Sequence, residues 1–338
     1  MTESTQSDEQ AIGGRALEVE FELLHESQRT PLEDYLKWIN LAPPPPPAAP
    51  RIVVERYDIW ANGQRSQIWS MNPDGSDTRN LSSSPSNFDT APAWSPDRMK
   101  IVFSRWLTPG PRAAPEPGGL WTMNSDGSAP RQLTVPPAGK WDIDPAWSPD
   151  GTRIAFQRYH EVWVVDASGR NARPVLSSPA MPYAFDQSPT WSPDSKQVAF
   201  SRESLGAQWL MVADATTAST PQALTVPARG TADGWPAWSP KGDLVAFWRT
   251  DVKNAQIWAI AASGNLATAQ PITHPDPSKG ESDWYPCWSP DGAEIAFSRL
   301  VGVTHHVWIT SADGTGGRDL TALSKPLGDP TDRFPNWA

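Results

Sequence analysis

Six aspartates and six arginines recur at fixed distances from six tryptophans, and they are the residues of this sequence best placed for ionic chemistry. Five arginines each follow one of these tryptophans by eleven residues, and Arg56 is the equivalent of the sixth. Each aspartate precedes its tryptophan by five residues: Asp89, Asp142, Asp186, Asp233, Asp283 and Asp332. A carboxylate facing a guanidinium forms a bidentate structural pair. The alternative is a ring of carboxylates that binds calcium or a cationic ligand group.

Aromatic residues surround these aspartates, and they are the second set of candidates for binding. These aromatic residues do not share one position of the repeat, so the packing of the repeat does not by itself require them. Aromatic and acidic groups around one opening suit a peptide segment or a sugar, although partial burial in the rim would also explain them. The set consists of Phe88, Trp141, Phe185, Trp235, Trp284, Tyr285 and Phe334.

Signals for catalysis are weak in this sequence. The five histidines do not have the H-E-x-x-H spacing of a zinc protease, and no G-x-S-x-G nucleophile motif occurs. His305 and His306 are predicted to be solvated in a loop before a strand. The one cysteine, Cys287, excludes an intramolecular disulfide and a zinc cluster built on cysteines. The sequence therefore favours a protein that is not an enzyme and has no cofactor, with calcium as the alternative.

The elements that position these residues come from a long internal repeat. The six tryptophans Trp94, Trp147, Trp191, Trp238, Trp288 and Trp337 are separated by 53, 44, 47, 50 and 49 residues. Each repeat contains four short runs rich in β-branched and aromatic residues, separated by turn residues such as Ser-Pro-Asp-Gly. Four strands per repeat at this period predict one blade of a β-propeller.

The blade count follows from the two incomplete repeats at the ends of the array. The array begins at a second strand, near Ile52, and ends on a first strand, Phe334–Trp337. These two parts add up to one blade. We therefore expect an all-β protein with six four-stranded blades, in which the C-terminal strand closes the ring.

The repeat resembles a known family. Pro-x-Trp-Ser-Pro-Asp-Gly is followed by Ile-Ala-Phe, then by Ile-Trp-x-Met-Asn-x-Asp-Gly and Arg-x-Leu-Thr, over residues 52–338. This order is similar to the TolB-like propeller repeats, which are related to the WD-repeat class. The Tol-system protein carries a folded α/β domain before its propeller, whereas about 50 residues precede the blades here. The resemblance therefore implies the propeller and not the Tol-Pal role.

The region before the propeller is predicted to be an arm with its own structure. We expect a disordered acidic tail over 1–14, a docking arm over 15–41, a polyproline linker over 42–50 and the propeller over 51–338. The arm combines an alternating strand with a capped helix that carries one apolar stripe. Its docking residues are Leu17, Val19, Phe21, Leu23, Leu32, Tyr35, Leu36 and Ile39. Such an arm either folds back on the propeller or docks on a partner, and the stiff linker favours a partner.

Charge and hydropathy exclude several classes of function. The net charge is −10, of which residues 1–41 contribute −6, so there is no basic footprint for nucleic acid. The sequence contains no run of 18 apolar residues, so no transmembrane helix is predicted. The polar start, Met1–Gln10, does not look like a signal peptide, which predicts a cytoplasmic protein, or a periplasmic one if a signal was removed. The sequence favours a non-catalytic scaffold or protein-binding subunit of a larger assembly, tethered through its arm. The alternatives are an enzyme acting on carbohydrate or peptide at the channel mouth and a propeller that binds a small molecule or cation.

Overall fold

The computed structural model describes residues 50–58, 65–82, 87–107, 116–177, 184–217, 219–226, 228–251, 254–321 and 331–338. The predicted tail and arm, and the linker up to residue 49, lie outside these residues. The strand and helix assigned to residues 15–41 therefore stay predictions.

The described residues form six four-stranded antiparallel sheets, as the repeat predicted. Blade 1 has the order β24 (Thr331–Trp337), β1 (Ile52–Asp58), β2 (Arg65–Met71) and β3 (Arg79–Asn80). Blade 2 contains β4 (Phe88–Trp94), β5 (Lys100–Leu107), β6 (Glu116–Asn124) and β7 (Arg131–Gln132). Blade 3 contains β8 (Asp142–Trp147), β9 (Arg153–Arg158), β10 (Glu161–Asp166) and β11 (Arg173–Pro174).

The other three blades repeat this order along the chain. Blade 4 contains β12 (Phe185–Trp191), β13 (Gln197–Ser204), β14 (Ala207–Asp214) and β15 (Gln222–Ala223). Blade 5 contains β16 (Ala232–Trp238), β17 (Leu244–Thr250), β18 (Ala255–Ala261) and β19 (Gln270–Pro271). Blade 6 contains β20 (Ser282–Trp288), β21 (Glu294–Val301), β22 (Thr304–Ser311) and β23 (Arg318–Asp319). Two short 3-10 helices, Leu266–Thr268 and Pro277–Lys279, flank β19.

The C-terminal strand closes the ring as predicted. β24 pairs antiparallel with β1, with Ile52 opposite Trp337 and Arg56 opposite Asp332. The Arg51 amide donates to the Ala338 carbonyl at 2.8 Å, which extends the ladder by one residue. The strand that completes blade 1 thus comes from the opposite end of the repeat array.

Neighbouring blades pack through apolar faces and through the first-strand tryptophans. One cluster joins Ile52 and Val54 of blade 1 to Cys287 and Val307 of blade 6. Cys287 is buried directly before Trp288, and burial raises the pKa of its thiol to about 12. The Trp288 indole donates to the Ala237 carbonyl of blade 5 at 2.9 Å. Aromatic burial and such hydrogen bonds between blades stabilise the ring.

A β-bulge interrupts the first strand of every blade, three residues before the tryptophan. The six residues at this position, which we call the bulge ring, have left-handed backbones with φ between 47° and 56°. They are Ala91, Asp144, Ser188, Trp235, Tyr285 and Phe334. Left-handed geometry is costly for bulky residues such as Trp, Tyr and Phe, and such outliers often mark functional positions. The residues of the bulge ring are therefore candidates for a functional site.

Candidate functional site

Every repeated aspartate forms a bidentate pair with its arginine. In each blade the arginine Nε donates to Oδ1 and Nη2 donates to Oδ2, over distances of 2.6 to 2.9 Å. The six aspartates are at most 1 % exposed. They are not among the residues that line the central cavity, and the hairpin register turns each carboxylate onto its arginine. The alternative, in which these carboxylates form a ring that binds a cation, stays a prediction.

The same arginines also stack on aromatic rings. In five blades the guanidinium lies 4.5 to 4.8 Å from the centroid of the third-strand tryptophan, as Arg105 does over Trp121. In blade 4 the Arg202 guanidinium lies 5.7 Å from the centroid of Phe200, a contact that four other blades share, while the Trp209 indole donates to the Met211 sulfur. Each guanidinium thus pairs with a carboxylate and stacks on aromatic rings, which supports a structural role for the arginine.

The first strands of all six blades surround a central cavity of about 280 Å³. One proline from each blade lines its wall: Pro92, Pro145, Pro189, Pro236, Pro286 and Pro335. Five members of the bulge ring also line it, namely Ala91, Asp144, Ser188, Trp235 and Phe334. The cavity continues to Ser289 and Pro290, in the turn that follows Trp288. It is therefore built from residues of every blade.

The seven candidate aromatics occupy two main repeat positions, although the sequence had suggested no shared one. Trp235, Tyr285 and Phe334 belong to the bulge ring of blades 5, 6 and 1 and pack together, with centroids 4.2 to 5.0 Å apart. Three others, Phe88, Trp141 and Phe185, stand six residues before the tryptophans of blades 2, 3 and 4. Trp284 stands at neither of these repeat positions, and its ring lies 5.1 Å from that of Trp248 and 6.4 Å from that of Tyr285.

The second set of aromatics contributes to a cluster between blades 3 and 4. The His160 ring lies 3.5 Å from the centroid of Tyr159 and 4.1 Å from that of Phe185, and Trp141 packs edge-on against Tyr159. Phe185 is 37 % exposed. Burial lowers the pKa of His160, which favours the neutral form of its ring.

The cavity has an acidic side opposite its aromatic side. Asp144 of blade 3 accepts a hydrogen bond of 3.3 Å from the Ser188 hydroxyl. Burial raises the pKa of the Asp144 carboxyl to about 7. Blade 3 faces blade 6 across a ring of six, and blades 5 and 1 flank blade 6. Asp144 therefore lies across the cavity from Trp235 and Phe334.

A second carboxyl group lies near this site. Glu55 is 6 % exposed, and its Oε2 atom has no hydrogen-bond partner. It stands opposite Arg333 in the β1–β24 ladder. Burial raises the pKa of Glu55 to about 7, partly offset by hydrogen bonding and by the charge of Arg333. Glu55 and Asp144 were both missed from the sequence, although Glu55 replaces the serine found at the same position in blades 2, 4 and 6.

The paired histidines lie in a strand and not in a solvated loop. His305 and His306 belong to β22, and His305 is 8 % exposed. Burial and the charge of Arg333 lower the pKa of His305 to about 4. The His306 Nδ1 atom lies 2.8 Å from an Asp319 carboxylate oxygen. The strand alternation buries the first histidine and leaves the second partly exposed.

Among the described residues, no group of three or more His, Cys, Asp or Glu side chains is placed to hold a metal ion. The part of the chain that the structure describes has no helix with the length and apolar character needed to cross a membrane.

Comparison with known families agrees with the blade geometry. Residues 117–331 match the TolB beta propeller domain. The chain belongs to this TolB propeller family. None of the curated proteins compared with the sequence matches it.

Solved structures of low sequence identity share the fold. TolB from Acinetobacter baumannii is 19 % identical, with a TM-score of 0.65 over 90 % of this chain and 70 % of that one. A TolB described as putative, from Agrobacterium tumefaciens, is 18 % identical, with a TM-score of 0.59 over 86 % of this chain and 99 % of that one. Hydrazine synthase from Kuenenia stuttgartiensis is 12 % identical, with a TM-score of 0.63 over 86 % of this chain and 47 % of that one. This TolB-type ring therefore occurs in proteins of different function, and the fold alone does not assign one.

Proposed function

We propose that this chain is a non-catalytic protein-binding subunit whose propeller takes up an extended segment of a partner protein in the central cavity. The lining of the cavity carries this proposal: six prolines, the rings of Trp235 and Phe334, and the small residues Ala91 and Ser188. Its volume of about 280 Å³ suits a few side chains and not a folded domain.

The chemistry of the wall supports recognition through side chains. The six prolines lack an amide hydrogen and cannot donate to a strand added alongside them. A bound segment would therefore contact ring faces and the few polar groups of the bulge ring. Aromatic residues in a concave site often contribute most of the free energy of binding.

An enzyme acting on carbohydrate or peptide at this cavity is the second candidate. Glu55 and Asp144 favour it, because carboxyl groups with a pKa of about 7 suit general acid–base catalysis. Glu55, however, is not among the residues that line the cavity. A two-carboxyl mechanism would require both carboxyl groups at the substrate. Only Asp144 of these two residues lines the cavity, which favours binding over catalysis.

We further propose that residues 15–41 tether the propeller to a larger assembly. The apolar faces predicted for this arm require a covering surface. The linker of residues 42–50 would hold the propeller away from that surface as a separate head.

A cavity-filling substitution tests the main proposal. Ala91→Trp places a large ring at a bulge position whose backbone already accepts tryptophan in blade 5, since φ is 47° at Ala91 and 54° at Trp235. We expect the propeller to fold and the cavity to be blocked. Peptides selected from a random display library against the wild-type protein should lose at least about tenfold in affinity for the variant, as expected when a central anchor pocket is lost.

Val135→Trp is the matched control, because Val135 is 75 % exposed and does not line the cavity. Peptides that bind the wild-type protein and this control but not Ala91→Trp support the proposal. If the selected peptides bind all three proteins equally, binding occurs outside the cavity and the proposal is wrong.

A further inference from the structure

We propose that the central cavity receives a cationic side chain, lysine or arginine, of the partner segment, held between the Asp144 carboxylate and the rings of Trp235 and Phe334. This inference rests on the proposed function and specifies the chemistry of the bound segment. It uses the three members of the bulge ring that give the cavity wall its charge and its aromatic surface.

The acidic side of the cavity lacks a compensating cation close to Asp144. Each of the six repeated aspartates has a bidentate arginine. Among the ion pairs found in the described part of the chain, none includes Asp144, whose carboxylate accepts one long bond from Ser188. Asp144 is half-buried. A carboxylate partly withdrawn from water without a cation is destabilised, and a cationic ligand group would relieve that cost.

The surrounding charges make this region negative once both carboxyls are ionised, above about pH 7. Glu55, with its Oε2 atom unbonded, and Asp144 act on each other electrostatically, and Arg333 contributes one positive charge beside Glu55. The charges of Arg333, Glu55 and Asp144 also act on the Tyr285 hydroxyl. Burial raises the pKa of this hydroxyl, so Tyr285 adds no negative charge near pH 7. With both carboxyls ionised, two carboxylates against one guanidinium leave a net negative charge that attracts a cation.

The aromatic side favours an organic cation over a metal ion. Trp235 and Phe334 pack with centroids 5.0 Å apart and lie in the wall opposite Asp144. Ring faces attract ammonium and guanidinium groups, most strongly where water is excluded. A metal ion would need several oxygen or nitrogen ligands, and the described residues provide no group of three.

The inference predicts that binding depends on pH. A carboxyl group with a pKa of about 7 is half protonated at pH 7 in the free protein, and a cation binds its ionised form. Affinity should rise from pH 6 to pH 8 and fall by up to about tenfold per unit below pH 7 for each proton released. The Glu55 carboxyl adds to this trend, whereas His305, with a pKa of about 4, stays neutral over the range.

Small capped amino acids provide the test. N-acetyl-lysine methylamide and N-acetyl-arginine methylamide are the cationic probes, and N-acetyl-norleucine methylamide is the neutral probe of similar length. We expect the cationic probes to bind the wild-type protein at pH 8 at least tenfold more tightly than norleucine, measured by ligand-observed NMR titration. Asp144→Asn should remove this preference and its pH dependence.

Asp243→Asn is the matched control, because Asp243 is exposed and is not among the residues that line the cavity. It should bind the probes as the wild-type protein does. Equal binding of the lysine and norleucine probes, binding of neither, or retention of the preference in Asp144→Asn would overturn the inference. Calcium chloride that binds where the lysine probe does not would assign the site to a metal ion. Peptides blocked by Ala91→Trp but indifferent to charge would leave the protein-binding proposal intact while this inference fails.

Discussion

Aspartates at two positions of the first strands differ in their partners. The repeated aspartates are each matched by an arginine from the adjacent strand, as in Asp186 and Arg202. Asp144, at the bulge, has only a hydroxyl partner. Repetition of a residue type therefore marks structure here, and departure from the repeat marks the candidate site.

Removing one member of a repeated pair should destabilise the fold. Asp186→Ala leaves Arg202, which is 5 % exposed, without its bidentate partner, and we expect a loss of about 3 to 5 kcal/mol in the free energy of unfolding. Urea denaturation measures the loss. Because a buried pair replaced on both sides is often well tolerated, the double variant Asp186→Ala, Arg202→Met should recover part of it.

Asp243→Ala, at an exposed carboxylate, controls for the substitution itself and should change stability little. Unchanged stability in Asp186→Ala, together with loss of a calcium-dependent shift in melting temperature, would instead assign the repeated aspartates to metal binding.

The pairing of Asp and Arg could be predicted from sequence because their positions are nearly symmetric about one turn. The candidate site could not be predicted in the same way. Asp144 reaches the cavity because a bulge reverses the alternation of its strand, and the spacing of residues does not reveal a left-handed backbone. Glu55 was predictable in principle, since it replaces a recurrent serine, but its burial depends on the neighbouring blade.

At the scale of elements, one strand holds the ring closed. β24 pairs with β1, and the Asn336 side chain also accepts a hydrogen bond from the Trp94 amide of blade 2 at 2.9 Å. The strand boundaries of the described blades follow the predicted turns closely, because Gly, Pro and Asp interrupt the apolar runs. The interior bulges are the main feature of these strands that the alternation did not predict.

Deleting residues 333–338 should open the ring. The inner edge of β1 would lose most of its partner strand, and we expect the single cooperative melting transition to broaden and shift to lower temperature. Calorimetry of the truncated protein measures this change. A synthetic peptide of residues 329–338, added in excess, should restore the transition, because binding to the folded state stabilises it.

Deletion of Ala338 alone is the control, since it retains every residue of β24. A truncated protein that melts like the wild-type protein would show that closure contributes little to stability.

At the scale of the whole molecule, the arm decides whether the propeller works alone or in an assembly. Leu36→Asp with Ile39→Asp places charges in the predicted apolar stripe of the helix. We expect the double variant to lose association with partner proteins while the melting temperature of the propeller stays unchanged. Co-purification at endogenous expression level, compared with calorimetry of the isolated protein, measures both effects.

Glu33→Gln with Asp34→Asn is the matched control, because it changes acidic residues of the same predicted helix and leaves the apolar stripe intact. If the double aspartate variant lowers the melting temperature instead, the arm packs on the propeller and the tether proposal is wrong.

The unequal members of the bulge ring also determine how many ways a ligand can be oriented. A ring of six identical blades would present the same wall in six rotational settings, and a bound segment could occupy any of them. Aromatic residues in blades 5, 6 and 1, with Ala91, Asp144 and Ser188 in blades 2, 3 and 4, remove that degeneracy. A ligand in this cavity would therefore meet one preferred orientation in place of six equivalent ones.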